Sequence, residues 1–462
     1  MHGFIKTTIT LLIATSTALA LAAATAFAQE PGSAQSTAET LTLEQAITIA
    51  LKENRSGKNA RLEVGKAQDQ TAAARTRRLP NFKLTSSISQ PLSTFGTTFE
   101  KGAFGTYSAI GPVPSEDTVI QSSKTPTAVV VGQITQPLTQ LHRINLQIKQ
   151  LEKANEISQA QLSAKEQAIV NDVKHAYYAI LQTQGSFEAA EANIKLYREL
   201  DRVTGEYVVQ QVVLKTEHMD VQTKLARADY EVLTLANQLA SQKEQLNNLL
   251  GRDVTTDFRV SDAAETAQVM MRETDLAQAR ERALAQRPEI REAQLRVDQA
   301  KLEKRIKKSE FIPDVSLTVN YASTFSSTNF LPRSLSGVGI QVEWEAFDWG
   351  RRKREIAEKQ RSISQADNSL LETQSQVLME VNSRYRRVQE ACQLLRIARL
   401  AQTAARANVQ IATYKYRLEA VLLKDVLMAQ TVLADSNNEY QKALLSFWTA
   451  KADFEKAMGE NQ

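Results

Sequence analysis

The chain has 462 residues, of which 42% are hydrophobic, 6% aromatic and 23% charged, with a formal net charge of +4. So small an excess, spread over alternating Lys/Arg and Glu/Gln faces, reads as solvated helix surface and argues against a nucleic-acid partner. The single cysteine, Cys392, excludes an intramolecular disulfide framework.

Residues 1–28 hold a short basic start (His2, Lys6), an apolar stretch from Ile9 to Ala22 and small residues ending in Ala26-Phe27-Ala28. This is the pattern of a cleaved secretory signal, with processing expected before Gln29 and no cysteine there to accept a lipid. Residues 29–40 read as a flexible segment. Beyond the signal no apolar run reaches the roughly eighteen residues that a spanning helix needs. Any membrane crossing therefore falls to a β-barrel.

Residues 41–251 form a first unit. Phe82, Leu84 and Ile88 alternate with Lys83, Thr85 and Ser87, and Ala128, Val130 and Ile134 mark a partner, predicting strands at about 81–92 and about 126–138. Between them, about Ser93 to Thr125 is rich in Gly, Ser, Thr and Pro and is expected to be a long polar loop with no packed core of its own. Proline is then absent from Thr139 through Arg287, which predicts long helices. The run from about Thr139 to about Val209 would make a rod of roughly 100 Å. Leu225, Val232, Leu239 and Leu246 recur every seven residues, the spacing of coiled-coil packing. Residues 252–274 read as a linker.

Residues 275–459 repeat the first unit, leaving 460–462 as a tail. Leu43 to Pro80 aligns without a gap on Leu276 to Pro313; further on, Tyr177 falls on Tyr385, Leu225-Ala226 on Leu433-Ala434 and Gly251 on Gly459. A match that recurs once over some two hundred residues is a duplicated half-protein, not a solenoid. Val315, Leu317, Val319 and Tyr321, then Val338, Ile340, Val342 and Trp344, alternate with polar residues and predict strands at about 314–324 and about 336–348. A second rod, about Arg351 to Tyr416, carries Ile356, Ile363, Leu370 and Val377 at seven-residue spacing, then Val381, Val388 and Leu395 on a shifted seam. Leu433, Tyr440, Phe447 and Phe454 answer on the return helix. The two rods are nearly equal in length and so can lie side by side. Arg351, Arg352 and Arg354 open the second rod as a basic cluster, either a solvated face or a functional patch.

Strands of about ten residues with one apolar and one polar face suit a barrel wall between lipid and water, and equally a small sheet over a helix. The export signal and the rods favour the wall. Four strands cannot close a barrel, and an open edge in lipid would leave backbone groups unpaired. Two chains would supply eight strands, a number whose interior is nearly filled by side chains, while three would supply twelve and leave a wet lumen. Closed symmetry then predicts a homotrimer. The fold class is thus α+β membrane protein: a shared transmembrane β-barrel, four strands per protomer and two per repeat, continued by a long α-helical coiled-coil barrel. The long loop of the first unit would face outward from the cell. Trp344, Phe347, Trp349, Tyr321 and Phe82 lie at strand ends or on apolar strand faces and suit aromatic girdles at the lipid interface.

For chemistry the chain offers little. His142, His175 and His218 make no metal-ligand spacing, and neither a phosphate-binding glycine loop nor a nucleophile elbow is present, so no enzyme activity and no cofactor are expected.

Ala283-Leu284 followed by Arg287-Pro288-Glu289-Ile290, then Ile312-Pro313-Asp314-Val315 and Phe347-Asp348-Trp349-Gly350-Arg351-Arg352, resemble the TolC-type outer-membrane efflux proteins. The resemblance covers essentially the whole mature chain. The first half departs from it: Asn54-Arg55 stands where Asn-Pro is common, and Gln136-Pro137-Leu138 with His142-Arg143 replaces an aromatic, Gly-containing junction. The resemblance implies a trimeric exit channel in the outer membrane, a helical barrel in the periplasm, and partners in a periplasmic adaptor (membrane fusion) protein and an inner-membrane pump of RND, ABC or MFS type. It further implies that the turns near Gln211 to Glu217 and Glu419 to Asp425 form the narrow periplasmic entrance, with Asp425, Glu217 and Glu419 as constriction residues. Asp425 would form a carboxylate ring under three-fold symmetry, or cap a helix N-terminus, and the two roles are compatible. Glycine is usual where Gln211 and Glu419 stand, and Met428 replaces a second acid found in some members, which leaves the tip geometry open. Two rival classes are a periplasmic adaptor, which would need lipoyl-like modules inside a single hairpin, and a structural coiled-coil envelope protein, which has no use for two amphipathic strand pairs.

Overall fold

The computed structural model describes residues 39–90, 92–94, 96–121, 124, 126–211, 214–261, 275–325, 333–418 and 420–460. The expected signal, most of the flexible segment, residues 262–274 of the linker and Glu419 lie outside the described residues. The chain divides into two compact units. The first is described at Glu39–Thr40 and Asp257–Arg259, within a two-stranded ladder of β1 (Glu39–Leu41) and β8 (Phe258–Val260). The second, Leu41–Thr256 with Val260–Gln462, carries the remaining elements.

The duplication is visible in helix lengths. α1 (Leu43–Glu53) and α2 (Arg55–Thr76) have 11 and 22 residues, and so do α5 (Leu276–Gln286) and α6 (Pro288–Ser309). Thr42 and Gln45 form a reciprocal capping box on α1. Asn54 starts α2 by accepting hydrogen bonds from the Ser56 and Gly57 amides, while Pro288 starts α6 at its first position, where no N–H is needed. The long helices follow the same rule: α3 (Gln140–Val209) has 70 residues and α7 (Arg351–Arg417) has 67, with return helices α4 (Lys215–Leu250) and α8 (Leu423–Met458) of 36 each.

The rods are not side by side. α3 packs on α2, α4, α6 and α8, while α7 packs on α6 and α8, so α6 and α8 stand between the two rods. The reason is end-to-end stacking of short helices. α4 ends at Gly251 (φ +72°) against the carbonyl of Glu53, just where α2 begins, and α8 ends at Gly459 (φ +83°) against Gln286 and Arg287, where α6 begins. A Cβ at Gly251 would come within 2.3 Å of the Glu53 oxygen. Asn54 donates to the Leu249 carbonyl (2.7 Å) and Arg287 to the Lys456 carbonyl (3.2 Å), fastening both joints. Each stacked pair approaches the length of a rod and fills the gap beside it.

The heptad seams are the core. Val377, Val381 and Val388 of α7 are buried with Ala279 and Ala283 of α5 and Phe447, Phe454 and Met458 of α8. In the first half Val173, Tyr177 and Ile180 are buried, and the Tyr177 hydroxyl donates to main-chain oxygens of Leu41 and Ser261. Among the described residues no helix is long and apolar enough to cross a membrane.

β2 (Asn81–Ser89), β7 (Thr127–Pro137), β9 (Asp314–Phe325) and β10 (Ser334–Glu343) form one antiparallel sheet in the order β10-β9-β7-β2. β10 stops short of the expected 348, because Asp348 caps α7 by accepting from the Gly350 and Arg352 amides. The expected polar loop is also more ordered than composition suggested. β3 (Gly96–Phe99) pairs with β6 (Thr118–Gln121), and β4 (Thr106–Tyr107) with β5 (Gly111–Pro112). These ladders prolong the β2–β7 hairpin with one-residue slips in register, so main-chain pairing orders a segment that has no core.

Candidate functional site

The sheet register puts one set of apolar side chains on one face. Phe82 lies opposite Ile134, Ile134 opposite Val319 and Val319 opposite Val338; one pair along, Leu317 faces Ile340. Phe82, Leu84, Ile88, Leu317, Tyr321, Val338, Ile340 and Val342 are all exposed. The opposite face carries Lys83, Thr85, Ser87, Gln133, Thr135, Asn320 and Gln341, with Val131 and Leu335 as exposed apolar residues among them. A broad exposed apolar face marks an interaction surface, and alternation confined to one face suits lipid. β2 and β10, exposed along their whole length, are the two edges.

The predicted aromatics do not form one group. Phe82 opens β2, and Trp344, Phe347 and Trp349 follow β10, so these four stand at the helix end of the sheet. Phe347 and Trp349 meet edge to face at 4.7 Å, and Trp349 is 90% exposed. Tyr321 instead lies mid-strand opposite Gly132, on the apolar face but away from that end. Trp349 adopts φ +52°, a strained value for an aromatic residue, followed by Gly350 at φ +83°.

Arg352 overturns the picture of a uniformly solvated basic cluster. It is 5% exposed, pairs with Asp348 (3.0 Å), donates to the main-chain oxygens of Glu310 and Glu345, and lies over the Phe311 ring. Its neighbour Arg351 is exposed and pairs with Glu345 and Glu355. The first half makes its junction differently, which accounts for its departing sequence. The Thr139 hydroxyl donates to the Pro313 carbonyl and accepts from the Val315 amide, and Arg143 pairs with Asp314 at 2.7 Å. The start of α3 is thereby tied to the start of β9.

Midway along the helices, Asp453 of α8 accepts from His175 (2.7 Å) and Asn171 of α3 and from Arg384 of α7 (2.8 Å). Burial pushes its carboxyl up, but the His175 bond and charge, with Asn171 and Arg384, outweigh this and hold it below the usual carboxylate range. Nearby, burial and the Glu455 charge push the Tyr178 hydroxyl up to about 12. The clasp joins the two halves.

At the far end of the helices lie the two turns. Gln211 adopts φ +57°, so the first turn keeps a left-handed residue there without glycine. Glu217 and Asp425 occupy equivalent third positions of α4 and α8, and both are exposed. The Asp425 carboxylate accepts from the Leu422 amide at 3.1 Å, a helix cap; among the described residues the Glu217 carboxylate takes no such bond.

The model of the outer membrane efflux protein family matches residues 46–252 and 279–460. The chain belongs to this family. Its two matched segments overlap the two repeats read from the sequence, and membership places the protein in the outer membrane with its helical part in the periplasm. The alkaline protease secretion protein AprF of Pseudomonas aeruginosa is 23% identical over 307 residues, covering 64% of this chain and 62% of AprF. The outer membrane protein TolC of Salmonella enteritidis is 21% identical over 362 residues, covering 74% of this chain and 70% of TolC. The match to AprF therefore spans less than two thirds of that protein. Among solved structures, the outer-membrane channel OprN superposes with a TM-score of 0.71 at 18% identity, covering 91% of this chain and 90% of its own. The MtrE outer membrane channel of Neisseria gonorrhoeae gives 0.69 at 15% identity, covering 90% and 89%. Family and fold are thus shared.

Proposed function

We propose that three copies join their sheets edge to edge, β2 of one on β10 of the next, into a closed barrel continued by the helices as a passive exit duct. The observation that carries this reading is the four-stranded sheet with one exposed apolar face and two unpaired edges, running directly into two long helical hairpins. A lone sheet of this kind would leave its edge N–H and C=O groups unsatisfied in lipid, and cyclic closure satisfies them. A periplasmic adaptor and an inner-membrane pump of RND, ABC or MFS type would load the duct and supply the energy. The name of AprF supports an export role of this kind.

At the periplasmic tip, three copies of Asp425, with Glu217 and Glu419, would ring the entrance with carboxylates that repel one another and attract cations. Capping of Leu422 by Asp425 uses one carboxylate oxygen and leaves the charge in place. The purified protein is expected to run as a trimer in mild detergent and to conduct in planar bilayers. Asp425→Asn is expected to lower cation preference, most visibly at low ionic strength where screening is weak, with the trimer intact. Selectivity unchanged at every salt concentration would leave Asp425 as a helix cap alone, and recovery as a monomer needing no detergent would sink the barrel.

A further inference from the structure

The first tip hairpin contains a histidine seat that the second lacks. His218, in the first turn of α4, crosses to α3 and lies over Gly205, where a Cβ would come within 3.4 Å of the ring. Both ring nitrogens are engaged. The Thr204 hydroxyl already donates to the Leu200 carbonyl at 2.7 Å, so at its 3.0 Å contact with Nδ1 it serves as acceptor and the proton sits on Nδ1. Nε2 accepts from the Gln222 amide nitrogen at 3.1 Å, which completes a neutral imidazole with both positions satisfied.

Asp201 lies one helical turn from Gly205 on α3. Its Oδ1 is buried without a hydrogen-bond partner and stands 3.6 Å from His218 Nδ1. Other charges of this region are occupied elsewhere: Arg202 pairs with Glu199 and Glu206, and Arg198 with Asp229 of α4. On α4 itself Lys215, Glu217 and Asp220 flank His218 in sequence. On α8, which also packs on α3, Asp425 of the first turn caps Leu422. The ion-pair partner of His218 among the described residues is Asp201.

We infer that His218 and Asp201 form a proton-operated latch across the α3–α4 tip hairpin, closed when the imidazole is charged and relaxed when it is neutral. Adding a proton at Nε2 turns the ring into a double donor, so the Gln222 amide must rotate to offer its oxygen. The positive ring then faces the unsatisfied Asp201 oxygen, and a charge-assisted contact replaces an uncompensated buried acceptor. Histidine changes charge in the pH range over which the compartment outside the inner membrane varies with its surroundings.

The duplication supplies an internal control. The offset that carries Gly251 onto Gly459 carries Asp201 onto Val409 and His218 onto Val426. Val426 is 6% exposed and Val409 half-buried, so the second hairpin holds valines at both positions, which no proton can address. The two hairpins of one protomer therefore differ in kind: one latched by charge, one packed by valine.

The latch lies within a single protomer and does not depend on the exit-duct reading. Hydrogen exchange of the full-length protein in detergent, corrected for intrinsic rates, tests it at pH 5.5 and 7.5. Peptides spanning 199–222 are expected to exchange about three- to tenfold more slowly at the lower pH, the scale of one charge-assisted contact. Peptides spanning 407–430 are expected to show no such difference. His218→Gln and Asp201→Asn should each abolish the effect. The double variant Asp201→Val with His218→Val, which copies the second hairpin, keeps the test decisive if the single variants misfold; its protection should not change with pH. Equal protection of 199–222 at both pH values in the unaltered protein, pH dependence that survives Asp201→Asn or the double variant, or an equal response in 407–430 would overturn the latch.

Discussion

Gly251 and Gly459 do the same job at unequal tolerance. Both end a return helix at positive φ and both meet the next helix end to end, yet an added Cβ would lie 2.3 Å from backbone at Gly251 and 3.1 Å at Gly459. Alanine at either site carries the left-handed penalty of about 1–2 kcal/mol. At Gly251 the contact with the Glu53 carbonyl adds overpacking of about 1–3 kcal/mol, because a backbone atom cannot swing aside. Gly251→Ala is therefore expected to lower the urea midpoint, followed by helical circular dichroism, clearly more than Gly459→Ala; equal losses would mean that the joint can open. Asp453 gives a pH signature. Its folded carboxyl lies below the ordinary value, so its contribution is fully present above the unfolded value of about 3.9 and is lost as pH falls through the lower folded value. Asp453→Asn is expected to cost about 1–3 kcal/mol at pH 7 and to flatten the fall in stability below about pH 4. A variant that tracks the parent through acid would show that the His175–Asp453–Arg384 clasp carries no net stability.

At the scale of the element, the β10 strand separates its two faces. Val338 sits mid-strand opposite Val319 on the apolar face, and Gln341 lies on the polar one. Val338→Arg is expected to destabilise the folded membrane form by about 2–4 kcal/mol, the cost of a cation near the middle of a bilayer, whereas Gln341→Arg should leave assembly intact and alter conductance. Resistance of the proposed trimer to heating in detergent reads the first effect and single-channel current the second. The reverse ranking would put the lumen on the wrong side of the sheet. The helix elements follow a different logic: each seam of Val, Leu and Phe at seven-residue spacing finds a partner helix, and the charged remainder bridges helices at Arg61–Glu166, Arg75–Glu152 and Lys307–Glu355. Such exposed pairs contribute little individually. Register comes from the seams.

For the whole molecule, orientation across the membrane follows from which end of the sheet carries the helices. Both strand-to-helix junctions, Pro137 to Gln140 and Glu343 to Arg351, are at one end, and the β3–β6 and β4–β5 ladders extend from the other. With the helices in the periplasm, the proposed barrel would point the hairpin that reaches Tyr107 to Gly111 out of the cell. An epitope inserted between Ser108 and Ala109, in the turn that ends the β4–β5 ladder, is expected to bind antibody on intact cells. Binding that appears only after the outer membrane is permeabilised would invert the chain.

Local periodicity is what the sequence by itself determined. Alternation at Phe82–Ile88 and Val315–Tyr321 located strands, the seven-residue seams and proline-free runs located helices, and the internal match announced two related halves whose family the junction motifs named. These signals survive in one dimension because they depend on neighbours a few positions away. The polar segment after β2 misled because ladder pairing, not composition, orders it. What only the tertiary structure decided depends on residues far apart in the chain. The stacking of α8 on α6 separates the two rods, and burial turns Arg352 from a surface charge into a clamp on Glu310 and Glu345. The two turns likewise look alike as spacing, and differ because the first places His218 beside an unsatisfied Asp201 oxygen while the second buries Val426. Contacts of this kind are set by how helices meet, and helix packing is not written in the period of either partner.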